Sequence, residues 1–143
     1  MNNINEACTY QVDITYQDTD IAGVVYFANY FNYAEKGRSK LLKDLFGKSK
    51  FDSEQNWAVK ETAMKFYQPA KIDDTLTVKT KVKELKKASI IFLHEMFVRD
   101  TLVAVNEIQL LSIGSDLRPV RVNAEIFEKL SEVYENSNYT ISN

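Results

Sequence analysis

A long helix that is aromatic on nearly every side of its first turns is the feature that most constrains this fold. Apolar or small residues spaced by three or four positions lie on one face of a helix, and this spacing connects Tyr30, Ala34, Gly37, Leu41 and Leu45. Phe27, Phe31 and Tyr33 cover most of the remaining circumference near its start. A helix that is apolar on most sides is typically enclosed by other elements of the fold. Gly47 lies just past its end and is predicted to be its C-cap.

The rest of the chain has mainly strand patterns. Five segments show apolar–polar alternation or apolar runs: residues 9–17, 57–67, 75–85, 89–98 and 102–113. A slip in the alternation near Lys60–Thr62 predicts a β-bulge. Because the links between the later strands are short, antiparallel pairing is favoured. The order of elements predicts an α+β fold in which an antiparallel five-stranded sheet wraps around one long apolar helix.

A second, shorter helix is expected near the C-terminus. Asn123 precedes the periodic segment "AEIFEKLSEVY", where an asparagine is a favourable N-cap. Residues 135–143 are polar, and we expect a frayed tail there. The chain of 143 residues is predicted to form a single domain over 1–143.

Composition excludes several classes of function. The net charge of −2 gives no electrostatic footprint for nucleic acid, and a single cysteine and a single histidine, His94, leave no Cys- or multi-His-based metal site. On its apolar strand, His94 is expected to have a structural role. No apolar run is long enough to span a membrane, and the first residues do not resemble a secretory signal. We therefore expect a cytoplasmic protein.

Two aspartates, Asp18 and Asp20, lie between the first strand and the aromatic helix. An aspartate at a strand end is most often a turn former or a helix cap. Here "DIAG" leads into the start of a helix, where backbone N–H groups lack intrahelical acceptors and can hold an anion. A carboxylate beside such donors can support acyl-transfer hydrolysis without Ser, His or metal.

Two other classes of protein use similar aspartate motifs. A D-x-D pair holds a divalent metal in haloacid-dehalogenase-type phosphatases, but those need a parallel core and a Thr or Val where Ala22 stands here. "DTD" also resembles the "DTG" of aspartic proteases, but Asp20 replaces the glycine and the chain is not built of strands alone.

The segment "YQDTDIAGVVYFANYFNYAEKGRSKLL" resembles the signature of the hotdog-fold acyl-CoA thioesterases of the 4-hydroxybenzoyl-CoA thioesterase family, and within it the bacterial branch associated with the Tol–Pal envelope system. The resemblance covers about residues 9–130 and includes "MKFYQPAKIDDTLTVKTKV". It implies a hotdog fold and hydrolysis of an acyl-CoA to a carboxylic acid and free CoA, without a cofactor or a metal.

The resemblance also assigns roles to residues near the helix start. It implies that Asp20 is catalytic, as nucleophile or general base, and that the backbone N–H of Phe27 polarises the thioester carbonyl. The resemblance also places Tyr26 among the catalytic residues and Gly23 and Tyr30 among the residues that bind substrate. The alternative for the two tyrosines is that they only pack between the helix and the sheet. Many relatives carry a polar residue in place of Phe27, so substrate range is open.

The nucleotide end and the assembly are also implied. Relatives bind CoA phosphates with basic residues at a turn between later strands, which corresponds to Lys86, Lys87 and Ser89 here. The site in this fold lies between subunits, so a homodimer or homotetramer is expected, with Asp20 facing a strand of another chain such as Trp57–Ala63. Acyl carrier protein is a further candidate partner. The alternative is a non-catalytic module that binds acyl-CoA or acyl carrier protein; a dehydratase would need a histidine near the helix.

Overall fold

The computed structural model describes residues 9–47 and 55–141, with side chains described as far as Tyr134. It contains five strands, two α-helices and one short 3₁₀ helix. In chain order these are β1 (Thr9–Asp13), the 3₁₀ helix (Tyr16–Asp18), α1 (Asn29–Phe46), β2 (Asn56–Phe66), β3 (Thr75–Lys86), β4 (Ser89–Val98), β5 (Thr101–Ile113) and α2 (Ala124–Ile141).

The strands form one sheet in the order β1-β3-β4-β5-β2, and every neighbouring pair is antiparallel. The sheet packs against α1, so the predicted α+β hotdog architecture with a C-terminal helix is confirmed. The predicted bulge is also present, as a shift in register between Val59 and Glu61. β1 and β2 are the two edges of the sheet, and the antiparallel order rules out the parallel core that a dehalogenase-type phosphatase needs.

Close packing of α1 on the sheet depends on a glycine. The helix buries Tyr30, Tyr33, Ala34, Gly37, Leu41 and Leu42. A Cβ on Gly37 would lie 2.7 Å from the Thr80 Oγ1 and 2.8 Å from a Val78 methyl carbon, so no larger residue fits without displacing β3. Gly47 ends the helix with φ of 76°, and its N–H donates to the Lys43 carbonyl, as predicted.

The start of α1 is less enclosed than its composition suggests. Phe27 is 58% exposed and Phe31 is 37% exposed, so the predicted full enclosure is wrong for these two rings within a single chain. The sheet covers the face that carries Tyr30 and Tyr33, whereas the opposite face of the first turns lies open. Exposed aromatic rings of this size mark a surface available to a substrate or a partner.

The first strand is shorter than its alternation predicts. β1 ends at Asp13, and residues 16–18 turn into a 3₁₀ helix instead of continuing to residue 17. In the predicted alternation Tyr16 falls on the same side as Ile14, yet Ile14 is buried whereas Tyr16 is 81% exposed. The reason is local: the Asp18 side chain accepts hydrogen bonds from the Thr15 N–H and hydroxyl, and this stabilises a turn where periodicity alone predicts a strand.

The C-terminal helix begins as predicted and ends later. The Asn123 Oδ1 accepts hydrogen bonds from the backbone N–H groups of Glu125 (3.0 Å) and Ile126 (3.4 Å), which confirms the N-cap. Leu130 and Val133 are buried in a hydrophobic cluster that also contains residues of α1 and of the sheet. The backbone stays helical to Ile141, past residue 135, where the sequence predicts the start of a frayed tail. None of the helices within the described ranges is long and apolar enough to cross a membrane.

Candidate active site

Asp18 is held within its own turn. Its Oδ2 accepts hydrogen bonds from the Thr15 backbone N–H (2.8 Å) and the Thr15 hydroxyl (2.9 Å). Its backbone carbonyl accepts two more, from the Tyr26 N–H and from the Asn29 Nδ2, both at 2.9 Å. Asp18 therefore ties the 3₁₀ helix to the start of α1.

These contacts change the pKa of the Asp18 carboxyl. Partial burial raises it, but the hydrogen bonds from Thr15, the nearby Tyr33 hydroxyl and the positive charge of Lys36 lower it by more, and the net pKa is below the ordinary value of 3.8. The Tyr33 hydroxyl forms no hydrogen bond of ordinary length to this carboxylate. Burial first, and then the charge of Asp18, raise the pKa of Tyr33. Asp18 is thus a stable anion with a structural position.

Asp20 occupies a different kind of turn. Its N–H donates to the Val24 carbonyl (2.9 Å), and its carbonyl accepts from the Gly23 N–H (3.0 Å). Gly23 has φ of 78°, in the left-handed region that glycine adopts without strain. The Asp20 Oδ1 accepts one hydrogen bond, from the Ala22 N–H at 2.9 Å, while Oδ2 accepts none from the described residues. The side chain is exposed and has one oxygen available.

The Asp20 turn is braced by the segment that follows β2. The Val25 N–H donates to the Ala70 carbonyl (2.8 Å), and the Ile72 N–H donates to the Gly23 carbonyl (3.2 Å). Thr19 pairs with Val25 as an isolated antiparallel bridge. The turn is therefore fixed at both ends, and Asp20 lies beside the segment that leads into α1.

Unpaired donors lie at the start of α1. The N–H groups of Phe27 and Ala28 have no acceptor among the described residues, while the carbonyls of both accept helical-type bonds from Tyr30 and Phe31. The Tyr26 carbonyl accepts a bond of the same type from the N–H of the first residue of α1, so a hydrogen-bonded turn precedes that residue. These N–H groups point out of the positive end of the helix, where they can stabilise a developing oxyanion.

The two tyrosines of the predicted site differ in exposure. Tyr26 is 50% exposed, and its ring packs against that of Phe27 at 5.0 Å between centroids. Tyr30 is buried, and its hydroxyl accepts a hydrogen bond from the Ala70 N–H at 3.0 Å. Within this chain Tyr30 connects α1 to the segment around Ala70 that holds the Asp20 turn, a contact of the kind that its alternative role in packing requires. Tyr26 instead borders the open surface near the start of α1.

The predicted phosphate-binding residues are far from Asp20 within one chain. Lys86 and Lys87 lie at the hairpin between β3 and β4, and Ser89 opens β4 and is buried. The Asp20 turn is attached near the other end of β3, which has 12 residues and so spans roughly 35–40 Å. These three residues could meet Asp20 only across a boundary between subunits.

Asn29 is a site-supporting residue to which the sequence assigned no role. Its side chain fixes the start of α1 to Asp18 through the hydrogen bond described above. The available signal was an asparagine at the first helical position, where polar side chains commonly bond to nearby backbone.

His94 lies in the core, where its Nε2 has no hydrogen-bond partner among the described residues, and its structural role stays a prediction. It is fully buried, and its Nδ1 lies 3.0 Å from the Asn106 Oδ1. Burial, and then the charge of Arg38, lower its pKa to about 3, against a small opposing effect of the Asn106 hydrogen bond. It is therefore neutral at physiological pH. Within the part of the chain that the structure describes, no three His, Cys, Asp or Glu side chains cluster to hold a metal.

Comparisons with known proteins show the family of this chain. The family model of the thioesterase-like superfamily matches residues 14–130. The chain is 33% identical over 129 residues to the acyl-CoA thioesterase YbgC of Haemophilus influenzae, covering 86% of this chain and 93% of that protein.

Solved structures share the fold. A structure titled "Probable Thioesterase" from Bartonella henselae has a TM-score of 0.69 at 28% identity and covers 80% of this chain and 96% of that chain. A protein of Thermus thermophilus has a TM-score of 0.80 at 23% identity, covering 88% of this chain and 98% of that chain, and shows likeness of fold alone.

Proposed function

The chain belongs to the thioesterase-like superfamily, and from this premise we propose that it hydrolyses acyl-CoA thioesters to a carboxylic acid and free CoA. The observation that carries the proposal is the exposed Asp20 carboxylate, whose Oδ2 accepts no hydrogen bond from the described residues. It lies beside the turn that leads into α1, where the N–H groups of Phe27 and Ala28 lack acceptors among the described residues. The YbgC protein of H. influenzae, an acyl-CoA thioesterase by name, supports the same activity.

Two routes use these groups. As a general base, Asp20 takes a proton from water while the water oxygen attacks the thioester carbonyl carbon. The tetrahedral intermediate then collapses, the C–S bond breaks, and CoA leaves as the thiolate or takes the proton from Asp20 to leave as the thiol. As a nucleophile, its carboxylate oxygen attacks that carbon, CoA leaves as the thiolate, and water hydrolyses the resulting acyl–aspartyl anhydride. In both routes the carbonyl oxygen becomes negative, and the Phe27 N–H is placed to donate to it. Neither route requires a cofactor or a metal.

The aromatic rings near the helix start suit the acyl group. Tyr26, Phe27 and Phe31 are all exposed by a third or more in the single chain, so they offer an apolar surface beside the proposed oxyanion donors. We propose that the acyl chain lies against this surface.

We further propose that the protein acts as a homodimer or homotetramer in the cytoplasm. β2 is an edge strand with exposed apolar residues, among them Val59 (60%) and Phe66 (49%), and the exposed Tyr67 (56%) follows it directly. An edge of this kind favours pairing with a second copy. The predicted role of Lys86, Lys87 and Ser89 depends on such an assembly, since only a neighbouring subunit could bring them to Asp20. Light scattering after size-exclusion chromatography measures the mass directly.

The test of the function is release of free thiol from a panel of short-chain, long-chain and aromatic acyl-CoAs by the full chain. Turnover of at least one class is expected. Tight binding of acyl-CoA, or of an acyl carrier protein, with no hydrolysis would contradict the proposal and support a binding module, in which Asp20 only shapes its turn.

A further inference from the structure

A basic groove lies between β1 and the middle of α1. It has a volume of about 460 Å³ and is lined by Tyr10, Lys36, Ser39, Lys40 and Lys43. The three lysines are not among the buried residues of α1, and the active-site chemistry described above uses none of them.

The charges in the groove favour an anion. Lys36, Lys40 and Lys43 lie at positions i, i+4 and i+7, so they share one face of α1 and repel one another. Lys40 is paired with Asp44 at 3.0 Å, but Lys36 and Lys43 form no ion pair with any described residue. No carboxylate lines the groove among the described residues.

The chemistry of the lining fits phosphate. Lysine ammonium groups bind phosphate as point charges, and the Tyr10 and Ser39 hydroxyls add hydrogen-bond donors. The concave shape and the residues contributed by both β1 and α1 distinguish this groove from a solvated row of lysines on one helix. A ligand with more than one phosphate would neutralise the repulsion along the helix.

The groove is within reach of the proposed active site. Lys36 is close enough to the Asp18 turn for its charge to act on that carboxylate. At a rise of about 1.5 Å per residue, Lys36 and Lys43 lie roughly 10 and 21 Å along the helix from Asn29. The pantetheine arm joins the thioester to the pyrophosphate through about a dozen bonds and extends roughly 15 Å.

We infer that the groove between β1 and α1 binds the phosphate-bearing end of the CoA thioester, on the same chain as the Asp20 that acts on the acyl group. The inference rests on the proposed function for its choice of ligand. It places the phosphates away from Lys86 and Lys87, which lie at the far end of β3 in that chain.

Binding of free CoA tests the groove without any need for turnover. The double variant Lys36→Gln with Lys43→Gln leaves the Lys40–Asp44 pair intact, and Lys86→Gln with Lys87→Gln removes the same charge at the hairpin. Calorimetry with free CoA should show the Kd rising about 10- to 100-fold in the groove variant. An unchanged Kd there, or a loss confined to the hairpin variant, would overturn the inference.

Substrate discrimination gives an independent readout. The ratio of kcat/KM for an acyl-CoA to that for the matching acyl-pantetheine, which has no nucleotide, should fall by at least about tenfold in the groove variant. An unchanged ratio would contradict the inference that the groove binds the phosphates of CoA. If the wild-type chain hydrolyses neither thioester, the hydrolase proposal fails, while the Kd for free CoA still decides whether the groove binds phosphates.

Discussion

Asp18 and Asp20 are two residues apart, yet the structure gives them opposite surroundings. Asp18 is partly buried and accepts hydrogen bonds from both donors of Thr15, which together with a nearby cation hold its pKa low. Asp20 is exposed and accepts one hydrogen bond from a described residue, through Oδ1. The proposed function divides their roles accordingly: Asp18, held by two hydrogen bonds from Thr15, fixes the loop, and the exposed, less constrained Asp20 acts on the thioester.

Removing Asp20 should have the largest effect on activity. We expect Asp20→Ala to lower kcat by about 10²–10⁴-fold, the usual contribution of a general base or more. Because the side chain is exposed and makes one local hydrogen bond, the free energy of unfolding should change by less than about 1 kcal/mol. Thiol release and urea unfolding measure the two quantities. A kcat within twofold of wild type would remove Asp20 from the chemistry.

The oxyanion donor can be separated from the ring that carries it. Phe27→Ala keeps the backbone N–H, and kcat should fall by less than about tenfold. Phe27→Pro deletes that N–H at a helix start, where proline is tolerated, and kcat should fall by about 10²–10³-fold. Circular dichroism checks that both variants stay helical. If both variants fold and their kcat values fall equally, the Phe27 ring and not its N–H supports the reaction. The proposed oxyanion donor that acts with Asp20 would then be wrong.

The pH dependence of stability distinguishes the buried histidine from the anionic turn. The folded-state pKa of His94 is lowered to about 3, so the unfolded chain takes up a proton first, and stability should fall as pH drops from 6.5 towards 3. The slope is at most about 1.4 kcal/mol per pH unit. Chemical unfolding of His94→Gln should lack this slope. If the variant keeps the full slope, another group is responsible.

Asp18 contributes to stability in a lower window. Its pKa is lowered in the folded state, so its contribution is present above 3.8 and is lost as pH falls below that value. We expect Asp18→Ala to cost about 1 kcal/mol at neutral pH, like the loss of a helix cap, and to change kcat by less than about tenfold. Urea unfolding at pH 7 measures the first quantity. A loss of kcat as large as that of Asp20→Ala, without loss of stability, would erase the distinction between the two aspartates.

Much of the fold followed from periodicity. The stripe through Tyr30, Ala34 and Gly37, the bulge near Val59 and the Asn123 cap were predictable because each depends on local spacing or local chemistry. The end of β1 was not, since the Asp18–Thr15 hydrogen bonds override an alternation that by itself predicts a longer strand.

Parts of the site depend on contacts that spacing does not encode. The exposure of Phe27 and Phe31 reflects a face that this chain alone does not cover. The separation of Lys86 from Asp20 follows from the course of β3, and the groove at Lys36 and Lys43 exists only once β1 lies beside α1. By contrast, the motif around Asp20 could single out a candidate loop from the sequence, because a carboxylate before a helix start has a local chemical meaning.

The most direct test of the division between the two aspartates is kcat of Asp20→Asn at saturating acyl-CoA, measured beside Asp18→Asn. The asparagine oxygen can keep the hydrogen bond from the Ala22 N–H, so the substitution removes charge and basicity with little change in shape. The account predicts a loss of at least about 10²-fold for Asp20→Asn, with the urea midpoint unchanged, and less than about tenfold for Asp18→Asn. Full activity in Asp20→Asn would contradict it.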